Sequence, residues 1–178
     1  MGVRKSCESS IERKVMMMTT VNDVASAVLG SFNEPISTMK LQKLVYLAQG
    51  WNLALRGQPM FDSKFEAWVN GPVNRELFRE HRTRYSISTW PEGDAENLSE
   101  SDRIVLAAVI QNYGALSGRE LSELTHVSGT PWAAARLRAG VGANQSSTQE
   151  LDIDEMREHF EKLLLSGARE MPQLDATH

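Results

Sequence analysis

ISTMKLQKLVYLAQGWNLALRGQPMFDSKFEAWVNGPV, residues 36–73, decides how this chain folds. Leu41, Leu44, Val45, Ala48, Trp51 and Leu55 recur at three- and four-residue spacing, which gathers them on one face of an α-helix. Ser37 stands where a side-chain oxygen accepts from the free amides of the first turn, and Gly57 with Pro59 stops the helix. Phe61, Phe65, Trp68 and Val69 then form an aromatic-rich run suited to extended pairing, closed by an Asn70-Gly71-Pro72 turn. Strand alternation sets Phe65 and Ala67 on the face opposite Glu66 and Trp68, which predicts a more exposed Trp68.

Outward from this stretch, cap residues mark the helices. Asn22 precedes VASAVLGSF, whose Val24, Ala27, Val28 and Phe32 share a face, and Asn33-Glu34-Pro35 ends it. Asn74 caps a short helix through Leu77, Phe78 and His81, and residues 86–98 read as a surface connection anchored by Ile87 and Trp90. Ser99 and Asp102 precede RIVLAAVIQNYG, a run apolar on most sides that predicts the central buried helix. Ser117 with Glu120 opens the next helix, and Thr130 with Pro131 the one after. Residues 141–149, VGANQSSTQ, read as a flexible loop. Asp152 or Asp154 starts a last helix with Ile153, Met156, Phe160, Leu163 and Leu164 as its buried stripe.

The expected fold is mainly α (α+β): a compact helical domain of six or seven helices with a short β-hairpin or extended segment after the second helix. Residues 19–166 read as one domain. Residues 1–18 read as a disordered extension with the native start at Met16, Met17 or Met18, and residues 167–178 as a polar tail.

Composition narrows the function. The single cysteine, Cys7, rules out an intrachain disulfide framework and a cysteine-rich zinc site, and fits a reducing cytoplasm. No run approaches the length of a membrane-spanning helix. A net charge of −4 argues against sequence-independent affinity for nucleic acid, which depends on many lysine and arginine contacts. The 4 histidines fall in no metal-ligand spacing, and no phosphate-binding glycine loop is present. Catalytic, cofactor-binding and metal-binding residues are therefore expected to be none, and the chain is read as no enzyme. Asp152, Asp154, Glu155 and Glu158 are acid-rich, but at a capped helix start such residues complement the dipole.

KLQKLVYLAQGW, FEAWVNGPV and THVSGTPW, in that order, resemble the Panacea antitoxin domain, the SocA-like group of phage- and toxin–antitoxin-associated proteins. Matching positions are Lys40 to Leu44, Gly71 to Val73, Leu77 with Phe78, Thr125 with His126, and Pro131 with Trp132; Phe78 stands where a tyrosine is common. The resemblance implies an antitoxin that binds a cognate protein toxin, with no cofactor, and in some members an adaptor delivering the toxin to a AAA+ protease. It also implies that the second helix and the extended segment after it meet the toxin. Candidate contacts are Lys40, Lys43, Tyr46, Trp68, Asn70, Arg75, Arg79 and His126. Snorkelling stems for Lys40 and Lys43, and a carbonyl-capping role for His126, are the structural alternatives. The last helix is a candidate surface for homo-oligomerisation.

A second reading draws residues 117–139 as a DNA-binding helix-turn-helix autorepressor, with Arg136 and Arg138 on phosphates. Its second helix is alanine-rich where polar base-reading side chains are needed, which weighs against it.

Overall fold

A computed structural model describes residues 18–167 of the chain. The expectations for residues 1–17 and 168–178, including the extension, Cys7 and nearly all of the tail, lie outside the described residues.

The first helix, α1 (Val21–Gly30), begins two residues earlier than Asn22 suggested. Thr20 is its cap: the Thr20 hydroxyl accepts from the Asp23 amide, and the Asp23 carboxylate accepts from the Thr20 amide at 2.9 Å. This reciprocal box satisfies two free donors where an Asn22 cap would satisfy one. Asn22 instead bonds across to Glu76 and to the Trp90 indole.

β1 (Ile36–Ser37) leads into α2 (Thr38–Arg56), capped by Ser37 and ended by Gly57 in the left-handed conformation. β2 (Phe65–Trp68) and β3 (Gly71–Asn74) form the antiparallel hairpin, with Trp68 opposite Gly71 and Phe65 opposite Asn74. α3 (Arg75–His81) follows directly, its first turn capped by Asn74. β4 (Ser86–Ile87) pairs back on β1, a two-residue contact with no local signal in the sequence. After a 3₁₀ turn come α4 (Glu100–Tyr113), α5 (Gly118–Thr125), α6 (Pro131–Arg138) and α7 (Ile153–Ser166). The described residues thus hold seven α-helices and two small antiparallel sheets, the mainly α fold expected.

The centre of the molecule is α2 and not α4. Helices α1, α4, α5 and α7 and strand β3 all pack on α2, so every residue from Leu41 to Gly50 is buried, polar ones included. α4 fully buries only Val105, Leu106, Val109 and Tyr113 among its apolar residues, and Ile104 is 64% exposed. Burial at a central helix requires neighbours on every side, which apolar content alone does not supply. α7 reaches α2 at Gly50, where any Cβ would run into the Phe160 ring. Met156 and Phe160 form its inner face, while Ile153 and Leu164 are exposed.

The expected loop at 141–149 is pinned down. The Ala67 amide donates to Gln149 and the Leu151 amide to Phe65, both at 2.8 Å, so this segment adds a third, irregular rung beside β2.

Candidate functional site

The hairpin tip is held in one shape by side chains from α2, α5 and α6. Its turn needs glycine: Gly71 sits at φ +101°, and a Cβ there would lie 2.6 Å from the Thr125 hydroxyl and 2.8 Å from Lys43 Nζ. Four consecutive carbonyl oxygens along the tip, Ala67 to Asn70, each meet a side chain. Arg136 Nη1 donates to Ala67 at 2.9 Å and Trp132 Nε1 to Trp68 at 2.7 Å. His126 Nε2 lies 2.8 Å from the Val69 oxygen, and Ser122 Oγ donates to Asn70 at 2.8 Å. Beyond the turn, Lys43 Nζ donates to the Pro72 carbonyl at 2.8 Å. The THVSGTPW and KLQKL segments therefore meet physically at the VNGPV turn.

On the other strand, Gln42 acts as a substitute β-strand. Its Oε1 accepts from the Asn74 amide at 2.8 Å, and its Nε2 donates to the Asn74 carbonyl at 3.1 Å, so the edge of β3 is closed by one side chain. The same Nε2 lies 2.9 Å from His81 Nε2. Since Gln42 donates, the His81 nitrogen must accept, which requires the neutral ring. Burial lowers the His81 pKa, its own backbone contact opposes this, and Arg84 adds to the lowering. Asn74, fully buried, also donates to Ser63 and Lys64 while capping α3, joining hairpin and helix.

Beside this frame lies a cavity of about 440 Å³, walled by Met39, Trp68, Val73 and Phe78, with Gln42, Lys43 and His81 among its lining residues. A second, larger and more polar hollow of about 820 Å³ lies on the far side of Met39 and Asn70, reaching Tyr85 and His126. Thr38, Met39 and Asn70 border both, so the hairpin tip stands as a ridge between them.

The sequence-derived candidates divide by location. Asn70 and Arg79 are exposed and carry no side-chain bond among the described residues. Trp68 is half-buried, edge-on to Phe78 at 4.6 Å, and its indole donates to Glu66 at 2.7 Å. Arg75 is exposed but grips Glu66 with two bonds of 2.7 and 2.9 Å. Burial raises the Glu66 pKa, but Arg75 and the Trp68 indole outweigh it and hold the carboxyl below its usual range. His126 stacks on Trp132, and both of its ring nitrogens face carbonyls, Nδ1 lying 2.6 Å from Ser122. A neutral ring donates to one of them and a doubly protonated ring to both.

Two candidates are buried and offer no outer surface to a partner, although Lys43, unlike Tyr46, lines the 440 Å³ cavity. Tyr46 is 3% exposed, between Phe65 and Phe160. Lys43 is 1% exposed. Both follow from the encircling of α2, which leaves its flanks no solvent. Lys40 is half-buried, its amine over the Phe32 ring and donating 2.6 Å to the Gly114 carbonyl at the end of α4.

Sequence reasoning missed Gln42, Asn74's full role and Arg136. The only signal for Gln42 was a polar residue amid an apolar helix run. Arg136 is buried, lies over the Trp132 ring, and also donates to the carbonyls of Gly142, Ala143 and Gln145. Arg138 pairs with Glu155 at 2.5 Å. Neither arginine presents a free guanidinium to a phosphate, so the helix-turn-helix reading loses the two contacts it was built on.

Among the described residues, no group of three His, Cys, Asp or Glu side chains is placed to hold a metal, and no helix is long and apolar enough to cross a membrane. No solved structure matches the chain. Over 127 residues the chain is 30% identical to a protein named Antitoxin SocA from Caulobacter vibrioides (strain NA1000 / CB15N). That stretch is 62% of this chain and 64% of the relative, so the chain spans less than two thirds of the relative's length. The model of the family described as antitoxin SocA-like, Panacea domain, matches residues 41–133, from α2 through the hairpin to Trp132. The chain belongs to the SocA-like, Panacea-domain antitoxin family.

Proposed function

We propose that this chain is a non-catalytic antitoxin that neutralises a protein toxin by direct binding, using the hairpin tip and the hollows on either side of it. Family membership supports the antitoxin role. The observation that carries the binding face is the fixing of carbonyls 67–70 by four side chains, while Asn70 and Arg79 remain outward and without side-chain bonds among the described residues. A tip already rigid in the free protein loses little conformational freedom on docking, so more of the contact energy appears as affinity.

In this reading Trp68, Asn70, Arg75, Arg79, His126 and Lys40 border the contact. Lys43 and Tyr46 act from beneath by holding the hairpin and the core. The unit acting is one domain, residues 19–166, working in the cytoplasm. Delivery of the captured toxin to a AAA+ protease is a further role that the same surface leaves open to the remaining faces of the domain, and self-association would use α7.

Co-expression with each small neighbouring open reading frame, scored for rescued growth, tests the reading. One neighbour is expected to be toxic alone and to co-purify with this chain. Asn70→Arg and Arg79→Glu change exposed side chains, so both are expected to fold normally and to weaken the complex at least tenfold in calorimetry. Full affinity in both variants would move the interface elsewhere. Stable toxin in the rescued cells indicates sequestration, and toxin loss that requires a AAA+ protease indicates delivery.

A further inference from the structure

Beneath the hairpin lies a cation without a counter-charge. Lys43 is 1% exposed, its amine donates to the neutral carbonyl of Pro72 at 2.8 Å, and among the described residues it forms no ion pair. An ammonium carries three donors, and one acceptor leaves its charge poorly compensated. Two further polar groups of the cavity, Gln42 and His81, are already committed. Gln42 is spent on Asn74 and His81, and neutral His81 accepts from Gln42.

Titratable groups on the surrounding elements do not serve Lys43 either. Glu66 of β2 is held by Arg75 and Trp68, and His126 at the end of α5 lies against the carbonyls of Ser122 and Val69. On α2, Lys40 is turned to Gly114, and on α5, Glu120 closes the capping box with Ser117. His81 and Arg84 on and after α3 are basic and supply no anion. Burial alone pushes the Lys43 amine down, to about 7.

The cavity that Lys43 lines has apolar walls of Met39, Trp68, Val73 and Phe78 and a volume of about 440 Å³, enough for one large side chain with its backbone. We propose that this cavity receives a carboxylate-bearing apolar segment of the bound toxin, with the Lys43 amine as its counter-ion. The identity of the partner rests on the antitoxin reading, whereas the chemistry of the cavity does not. A carboxylate beside a desolvated ammonium makes a short charge-assisted bond and supplies the missing compensation. It also keeps the amine protonated, so binding above neutral pH draws in a proton.

The probes are N-acetyl-L-phenylalanine and its uncharged amide, titrated into the full chain and followed by the indole resonance of Trp68 in nuclear magnetic resonance. At pH 7 the acid is expected to bind at least tenfold tighter than the amide. Between pH 7 and pH 9 the affinity for the acid is expected to fall at least about tenfold as the free amine loses its proton, while that for the amide stays level. Lys43→Met should bind acid and amide alike, and the wild-type pH profile decides the matter if that variant does not fold. Equal affinity of the wild type for acid and amide, no binding of either, or a pH-independent preference would each overturn the assignment. Any of these leaves the antitoxin reading standing, which fails instead if no neighbouring gene product is toxic and bound.

Discussion

At the scale of single residues, Lys43 and Gly71 carry the most distinctive chemistry. The folded pKa of Lys43, about 7, lies below its ordinary 10.5. Between those values the unfolded chain holds a proton that the folded chain lacks, so this residue makes stability rise with pH by at most about 1.4 kcal/mol per pH unit. Lys43→Met removes the term. Its stability relative to wild type is therefore expected to be most favourable at pH 7 and below, and to decline toward pH 10. Urea denaturation of both proteins at pH 6.5, 8 and 9.5 measures this, and a difference constant across that range would contradict a buried, uncompensated amine. For Gly71→Ala, the left-handed backbone alone costs roughly 1–3 kcal/mol. The new methyl also meets Thr125 and Lys43, so a drop at the upper end of that range or beyond is expected in the same assay.

At the scale of elements, the segment after α6 behaves as part of the sheet because Arg136 ties it there. Its guanidinium joins Ala67 of β2 to Gly142, Ala143 and Gln145. Arg136→Met removes the donor from the buried Ala67 carbonyl, at roughly 1–3 kcal/mol, and releases the carbonyls of the exposed Gly142, Ala143 and Gln145. Hydrogen exchange is expected to quicken by about tenfold or more at the Ala67 and Leu151 amides, whose bonds join this segment to β2, before it does in α2. Equal acceleration throughout the protein would mean that the clamp supports the whole fold and not this edge. The caps Ser37, Asn74, Ser117 and Thr130 were legible in the sequence, and Asp152 as one of two candidates, because a cap acts within three residues of itself. The β1–β4 pair and the rung at 149–151 were not, since their partners lie dozens of residues away and their own composition is polar or ordinary.

At the scale of the whole molecule, the seven helices of the described residues, arranged with α2 at the centre, turn a surface-looking motif into a scaffold. That arrangement bears on the nucleic-acid alternative. With Arg136 buried, Arg138 paired and a net charge of −4, the purified chain is expected to give no gel shift on its own promoter at physiological salt. A shift at that salt would restore a regulatory role beside the binding of toxin. The resemblance to the family was readable from three short segments, but why they occur together was not: they supply the tip carbonyls of a hairpin and the side chains that bond them. The sequence by itself determined where most helices begin, where the chain turns and which strand face is apolar, because those follow from residues a few positions apart. Only the tertiary structure decided that α2 is encircled, that Lys43 and Tyr46 lie within, and that Arg136 faces carbonyls, because burial depends on how many elements surround a residue.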